Sequence, residues 1–213
     1  MEENAFSVSL EKNPAISIKA IPGHFTTNKV HVNYFLDVWE LKTNASHARD
    51  IARELAIPYV ANTLIDTIVC MERTVVIGAY LAEELLREGT AIMNSGGKIH
   101  VVSPLNNANG NLIFQDNAVK WIQNKNILLL IASISSGSTT KMATDCIAYY
   151  GGRLAGISSL FYSSEQFEYK INALFTSADI PGYKVFPLSD CEMCKAGQKL
   201  DAIINSEGYT KIA

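Results

Sequence analysis

The sequence predicts a single α/β domain in which helices cover a mostly parallel sheet. Short apolar runs alternate with segments of helical periodicity between residues 46 and 161, and such alternation is typical of βαβ units. The run Ile127–Ile131 is entirely apolar, as expected for a strand buried on both faces of a parallel sheet. A chain of 213 residues can bury one substantial core, so we expect one domain, 1–213.

Local signals place the individual elements. Apolar and β-branched residues favour strands at Asp66–Cys70, Lys98–Ser103, Ile127–Ile131 and Leu154–Phe161. Apolar residues at helical spacing predict helices at His47–Leu55, Val75–Arg87 and Thr139–Tyr150, with Ser46 as the N-cap of the first and Gly151-Gly152 closing the last. The remaining segments are less regular, so we expect a core of about residues 47–165 and a small hood from residues 1–46 and 166–213.

Composition and charge exclude several classes of function. The chain is 48% hydrophobic and 18% charged, which is ordinary for a globular protein. Its formal net charge is −3 and it has no run of Lys and Arg, so we expect no nucleic-acid partner. The first residues include early acids and no continuous apolar stretch, and the longest apolar run, Ile127–Ala132, is too short to cross a bilayer. We therefore expect a cytoplasmic protein without a membrane partner.

The strongest candidate site is the loop between the buried strand and the helix that follows it. The N–H groups at a helix start lack intrahelical partners, the helix dipole is positive there, and Gly137 lets the backbone approach an anion closely. In open α/β sheets, ligands bind beyond the carboxyl ends of the strands. The pattern predicts a phosphate site, but it also fits an ordinary turn with a hydroxyl N-cap. The candidate residues are Ser135, Ser136, Gly137, Ser138, Thr139 and Thr140.

Three blocks, in the same order, resemble the type I phosphoribosyltransferases, and most closely orotate phosphoribosyltransferase. The loop 135–140, with its helix and Ala155-Gly-Ile157, resembles the phosphoribosyl-pyrophosphate motif. Gly23–Asp37 resembles the "GHF…SG.HS..YF" segment, and Cys191–Gly197 resembles the "CPLCK.G" tail of longer members. The resemblance covers residues 20–200. It implies the type I fold, a cytoplasmic homodimer, and phosphoribosyl pyrophosphate or a nucleotide bound by its 5′-phosphate.

The sequence differs from that family at the positions of the family's catalytic and substrate-binding residues. Two carboxylates of the family hold the ribose hydroxyls, usually through Mg²⁺. Aligned on Gly137, their positions hold Ile131 and Ala132, which can neither ligate a cation that requires oxygen nor stabilise a developing positive charge. Pro104–Gln115 lacks the basic residues of the family's catalytic loop, and Tyr162-Ser163 replace an Asp-Arg pair. We therefore expect that the phosphate-binding loop is retained and that the transferase activity is weakened or lost. If the protein is an active enzyme, it would need Mg²⁺.

Three residues near the expected site have two interpretations each. Arg73 lies in a glycine-free pyrophosphate loop, where it either contacts a pyrophosphate or forms a solvated pair with Glu72. Tyr34 and Phe35 form either an aromatic wall for a planar base or part of the core or a dimer interface.

No metal site is predicted from the sequence. Cys191 and Cys194 form a C-x-x-C pair, which is half of a tetrahedral zinc site, and no second pair or His-x-His follows. Pairing of two such motifs in a dimer, or a redox role, are the other options. His24 and His31 have no visible third partner, so we expect them to be surface or capping residues.

Three functional hypotheses remain. The leading one is an orotate-phosphoribosyltransferase-like protein that binds a phosphorylated ribose or nucleotide ligand through the 135–140 loop without turning it over. The second is an active orotate or nucleobase phosphoribosyltransferase in nucleotide biosynthesis. The third is a structural or interaction module that keeps the loop only as a helix cap.

Overall fold

The computed structural model describes residues 2–89, 91–163 and 168–212. Within these residues the chain forms two main sheets and one short hairpin. The strands are β1 (Phe6–Leu10), β2 (Asn13–Thr26), β3 (Val30–Asp37), β4 (Thr67–Cys70), β5 (His100–Val102), β6 (Leu105–Asn106), β7 (Leu112–Ile113), β8 (Asn126–Ile134), β9 (Arg153–Tyr162), β10 (Ile171–Thr176), β11 (Val185–Pro187), β12 (Ala202–Asn205) and β13 (Gly208–Lys211).

The helices lie between these strands. No helix in the described ranges is both long and apolar enough to span a membrane. The α-helices are α1 (Trp39–Thr43), α2 (Ala45–Ala56), α3 (Val75–Leu85), α4 (Asp116–Val119), α5 (Ser138–Tyr149) and α6 (Glu192–Lys195), and two 3₁₀ turns lie at Glu2–Asn4 and Ser177–Asp179.

The central sheet is parallel throughout, in the strand order β10-β9-β8-β4-β5. Read in chain order, its first strand, β4, lies between the second, β5, and the third, β8. The direction of winding therefore reverses between β4 and β8. In open α/β sheets, such a reversal leaves a crevice beyond the carboxyl ends of the two strands, where ligands bind. The topology places a candidate site at the ends of β4 and β8.

Strand β8 is buried on both faces, as predicted from its apolar sequence. Leu128, Leu130 and Ala132 pack into a core that contains residues of α2, α3 and the N-terminal strands. The alternate residues, including Leu129 and Ile131, pack into a second core with α5. Because successive side chains of a strand point to opposite faces, a continuous apolar run is required to fill both cores.

A second sheet, the hood sheet, joins the two ends of the described chain. Its order is β11-β3-β2-β12-β13, and β1 pairs with the first half of β2. Strand β12 pairs in parallel with β2 at Ala202 and Phe25. A small core of Ile21, Phe25, Val32, Phe35 and Ala202 holds the hood sheet together. The structure thus confirms that N-terminal and C-terminal segments form a hood.

Two sequence-based boundaries differ from the structure. Ser46 is not the N-cap of α2: the Asn44 side-chain oxygen accepts hydrogen bonds from the backbone N–H groups of Ser46, at 2.9 Å, and His47, at 3.5 Å. The core also continues past residue 165, since β10 pairs with β9 in the parallel sheet. The predicted boundary at 165–166 itself lies outside the described residues.

Close packing of α3 on the central sheet depends on Gly78. A Cβ built on Gly78 would overlap the Sγ of Cys70 in β4 and would lie 3.2 Å from Cγ1 of Val101 in β5. Glycine in a helix interior ordinarily costs about 1 kcal/mol relative to alanine. Its presence in α3 therefore reflects the approach of the helix to the sheet.

We expect Gly78→Ala to lower the free energy of unfolding by about 1–2 kcal/mol, because overpacking outweighs the gain in helix propensity. In the double variant Cys70→Ala/Gly78→Ala, the removed sulfur makes room for the new methyl group. Its loss of stability should be smaller than the sum of the two single losses by about 1 kcal/mol. Urea unfolding of the four proteins measures this coupling, and strictly additive losses would contradict the packing argument.

Candidate functional site

A cleft of about 620 Å³ opens at the carboxyl ends of β4 and β8 and is covered by the hood sheet. This volume is in the range of small-molecule sites. The lining includes the loop 135–140, residues of strand β3 and the β12–β13 turn. The cleft therefore lies at the point where the strand order reverses, and two sheets with separate cores enclose it.

The loop 135–140 has the backbone geometry of an open helix start. Gly137 is the N-cap of α5 and has φ = +74°, a left-handed conformation that favours glycine. Gly137 itself has no side chain to cap the helix, and the Ser136 hydroxyl accepts a long hydrogen bond of 3.4 Å from the Ser138 N–H. Ser136 and Ser138 hydroxyls lie 3.1 Å apart at its tip, whereas Thr140 is buried beneath it. All six predicted residues line the cleft, so the arrangement presents N–H and hydroxyl donors to it.

Tyr183 connects this loop to the hood. Burial raises the pKa of Tyr183 to about 12, against the opposing effects of the Ser135 and Ser163 side chains. The ring packs edge-on against Phe161 in β9, with centroids 5.1 Å apart. Tyr183 is therefore a neutral phenol that lines the same cleft as Ser135.

The positions expected to carry two carboxylates offer no ligating side-chain atom, although Ala132 borders the cleft. Ile131 is fully buried in the core beneath α5, and Ala132 is 2% exposed. A carboxylate does lie nearby: Oε2 of Glu72 accepts a hydrogen bond from the Ser133 N–H at 3.0 Å. Since this oxygen is directed at the backbone, these residues do not fit Mg²⁺, which requires several open oxygen ligands.

The loop after β4 is strained and does not form the expected solvated pair. Glu72 and Arg73 have φ angles of +52° and +64°, which non-glycine residues adopt only at a cost of about 1–3 kcal/mol each. Arg73 turns away from Glu72 and pairs with Glu207 of the β12–β13 turn, with Nε 2.6 Å from Oε2. Its guanidinium also lies 5.7 Å from the Trp39 ring centroid. A direct role for Arg73 in pyrophosphate binding stays a prediction.

Lys42 is a cleft residue that the sequence did not single out. It is 3% exposed, and its Nζ donates to the backbone oxygens of Glu72 at 3.2 Å and Ser206 at 2.9 Å. Burial lowers the pKa of Lys42, although the nearby Glu72 and Glu207 carboxylates act in the opposite direction. Lys42 therefore joins the strained loop to the hood and brings a cation to the cleft.

Tyr34 and Phe35 both border the cleft, but they do not form one wall. Neighbouring residues in a strand point to opposite faces. The Tyr34 ring stacks on Tyr183 at a centroid distance of 6.3 Å. Phe35 instead packs in the hood core against Tyr209, at 5.1 Å. Base stacking by either residue stays a prediction.

The expectation that His24 and His31 are surface residues is wrong. His24 is fully buried and His31 is 7% exposed. The two rings lie next to Cys191 and Cys194, on the hood and outside the cleft lining. The fold thus brings together two pairs of residues that are at least 160 positions apart in sequence.

Comparison with solved structures places this architecture among known folds. Mycobacterium tuberculosis H37Rv orotate phosphoribosyltransferase, in complex with Fe(III) dicitrate, aligns with a TM-score of 0.50 at 12% identity, over 76% of this chain and 91% of that one. The chain has the fold of the type I phosphoribosyltransferases. No protein-family model and no curated protein matches the sequence.

Two other solved structures give similar values. Adenine phosphoribosyltransferase from Thermoanaerobacter pseudethanolicus has a TM-score of 0.49 at 14% identity, over 80% of this chain and 94% of that one. Leishmania donovani UMP synthase has a TM-score of 0.49 at 16% identity over 70% of this chain. The aligned part spans 31% of that synthase, so this chain matches less than a third of its length. At 12% identity, the comparison with the Mycobacterium tuberculosis orotate phosphoribosyltransferase shows the fold alone.

Ionisation of Glu72 should have a measurable effect on stability. Burial raises its pKa above the usual 4.5, against the opposing effects of the Ser133 and Ala132 backbone and Lys42. The folded state then binds more protons than the unfolded state at pH values above 4.5, so stability falls as pH rises through the raised pKa. Each unit of elevation corresponds to about 1.4 kcal/mol.

The variant Glu72→Gln cannot titrate at this position. We expect the stability of the original protein, relative to this variant, to decrease as the pH is raised from 4.5 towards 8. Urea unfolding of both proteins across this range measures the difference. A constant difference, or one that grows in favour of the original protein, would show that Glu72 is not destabilised by ionisation.

Proposed function

We propose that this protein binds a 5′-phosphorylated ribose compound, such as a nucleoside monophosphate, in the cleft and does not transfer the ribosyl group. The observation that carries the proposal is the loop 135–140 at the start of α5, where Gly137 has a left-handed backbone conformation and all six residues line the cleft. The site lies at the reversal of strand order, where α/β sheets bind ligands.

The phosphate is expected at the loop 135–140. Its backbone N–H groups and the hydroxyls of Ser136, Ser138 and Thr139 are donors, and the positive end of the α5 dipole favours an anion. Lys42 adds a nearby cation. A dianionic monophosphate matches this set of donors better than a neutral ligand does.

The remainder of the nucleotide would extend towards the hood. Tyr34 and Tyr183 form an aromatic surface on one side of the cleft, and Trp39, which is 40% exposed, lies on the lining. Aromatic faces stack on any nucleobase. The resemblance to orotate phosphoribosyltransferase makes pyrimidine monophosphates the first ligands to test, and it implies a cytoplasmic homodimer as a further expectation.

We expect the transfer reaction to be lost because of the residues at the end of β8. Ribosyl transfer builds positive charge on the sugar, and electrostatic stabilisation is commonly the largest catalytic contribution. Ile131 and Ala132 supply no charge, and Glu72 is bonded to the backbone. We therefore expect binding to be independent of Mg²⁺.

Calorimetric and thermal-shift titrations with orotidine 5′-phosphate, other monophosphates and phosphoribosyl pyrophosphate, with and without Mg²⁺, test this proposal. A ligand at 100 times its Kd should stabilise the fold by about 2.7 kcal/mol. Saturable binding of a monophosphate without Mg²⁺ is the expected result. Mg²⁺-dependent consumption of phosphoribosyl pyrophosphate with a nucleobase would instead establish an active transferase. If none of these compounds binds, the remaining hypothesis is that the protein is a structural or interaction module.

Two substitutions of Gly137 distinguish the effect of a negative charge on ligand binding from the effect of a changed backbone conformation. Asp and Asn have nearly the same shape and both tolerate positive φ better than most residues, but only Asp places a negative charge beside the phosphate. We expect Gly137→Asp to bind the monophosphate at least about tenfold more weakly than Gly137→Asn. Thermal melts of both variants control for folding. Equal affinities would place the phosphate elsewhere.

A further inference from the structure

Four metal-ligating side chains converge on the hood, outside the cleft. They are His24 in β2, His31 in β3, and Cys191 and Cys194 at the start of α6. One ligand atom from each lies within 4.8 Å of all the others. Three of the four residues are buried, and only Cys194 is exposed.

We propose that these four residues bind one zinc ion within a single chain. A tetrahedral zinc centre, with Zn–N near 2.05 Å and Zn–S near 2.3 Å, holds its nitrogens about 3.3 Å apart and its sulfur and nitrogen atoms about 3.6 Å apart. In the structure, His24 Nε2 and His31 Nδ1 are 3.1 Å apart. Three of the four sulfur–nitrogen distances are 3.5, 3.7 and 3.4 Å. These distances are thus already close to the spacing of the complex, and every pair of ligand atoms lies within 4.8 Å.

A hydrogen bond outside the cluster determines which ring nitrogen of His24 is available to bind a metal ion. Its Nδ1 lies 2.9 Å from the backbone oxygen of Gln198. Because a carbonyl only accepts, Nδ1 carries the proton and Nε2 presents its lone pair to the centre of the cluster. Zinc-bound histidines almost always make such a bond with the second ring nitrogen. The backbone around His24 is also held, since its N–H donates to Asp201 at 2.7 Å.

Hydrogen bonding alone does not account for this arrangement. His24 Nε2 has three neighbours within 3.7 Å, namely one nitrogen and two sulfurs. A single lone pair cannot serve three donors, whereas a central cation uses one lone pair from each ligand.

The ligand set also selects the metal. Two thiolates balance the charge of a divalent ion, so the buried centre is neutral. Sulfur and imidazole nitrogen in tetrahedral geometry favour zinc, while Mg²⁺ and Ca²⁺ require oxygen ligands. A site that is complete within one chain removes the need to pair C-x-x-C motifs across a dimer.

The ion would fasten the two ends of the hood. It connects the β2–β3 strands to the segment that continues into β12 and β13, whose turn at Asn205–Gly208 lines the cleft. His31 itself lies between Val30 and Val32, which border the cleft, so its side chain points away from it. The zinc therefore has a structural role, and the inference does not depend on the proposed ligand.

Elemental analysis of untagged full-length protein, purified without added metal and then reconstituted with Zn²⁺ under reducing conditions, tests the proposal. We expect about one tightly held zinc ion per chain. In the cobalt-substituted protein we expect the visible absorption of tetrahedral Co²⁺ with thiolate ligands. Removal of the metal should lower the melting temperature, and Zn²⁺ but not Mg²⁺ should restore it.

Two matched Cys→Ser variants complete the test. Cys194→Ser changes an exposed ligand and should weaken zinc binding more than about 100-fold, because loss of even an outer-shell partner costs 10–100-fold. Cys146→Ser changes a cysteine outside the cluster and should retain the zinc. Failure of the reduced protein to bind zinc, a Cys191–Cys194 disulfide in the reconstituted sample, or equal zinc affinity in both variants would overturn the proposal.

Discussion

Burial of β8 on both faces is the constraint on which the rest of the structure depends. A strand without a polar face must be covered by helices on both sides, which α3 and α5 provide through two separate cores. The chain can become polar only where β8 ends, and the hydroxyl-rich loop begins there. The same constraint bears on Ile131. An acidic side chain at this position would be placed in the core beneath α5, so the aliphatic residue suits packing while it removes a charge from the strand end.

Much of the fold could be predicted because its signals are local. The apolar run of β8, the periodicity of α3 and the glycines after α5 each specify an element within a short window, and the structure contains all three. The resemblance to type I phosphoribosyltransferases added the expectation of the type I fold, and comparison of structures supports it. The misplaced cap of α2 has a local cause as well. Asn44 and Ser46 are both good capping residues, and only the backbone conformation decides between them.

The candidate site could be predicted only in part. The loop 135–140 is contiguous in sequence, so its position in the cleft followed from topology. Lys42, the buried carboxylate of Glu72 and the His24–His31 pair depend instead on contacts between distant segments. The spacing of the two histidines could have been read together with the C-x-x-C motif as two halves of one site. What the sequence lacked was the pairing of β2 with β3, which places Thr26 opposite His31 and so brings the histidines together.

The hood sheet has a consequence for the order of folding. Strand β2 pairs with β12 through residues 25 and 202, so this part of its edge has no partner until the segment around residue 202 has been synthesised. Every strand of the central sheet has been synthesised by residue 176. Contacts this distant in sequence form slowly, and an unpaired edge is a template for association with other chains. During synthesis, the strands of the central sheet are therefore complete before β12 is available, and over that interval the β2 edge at residues 25 and 26 is open to other chains.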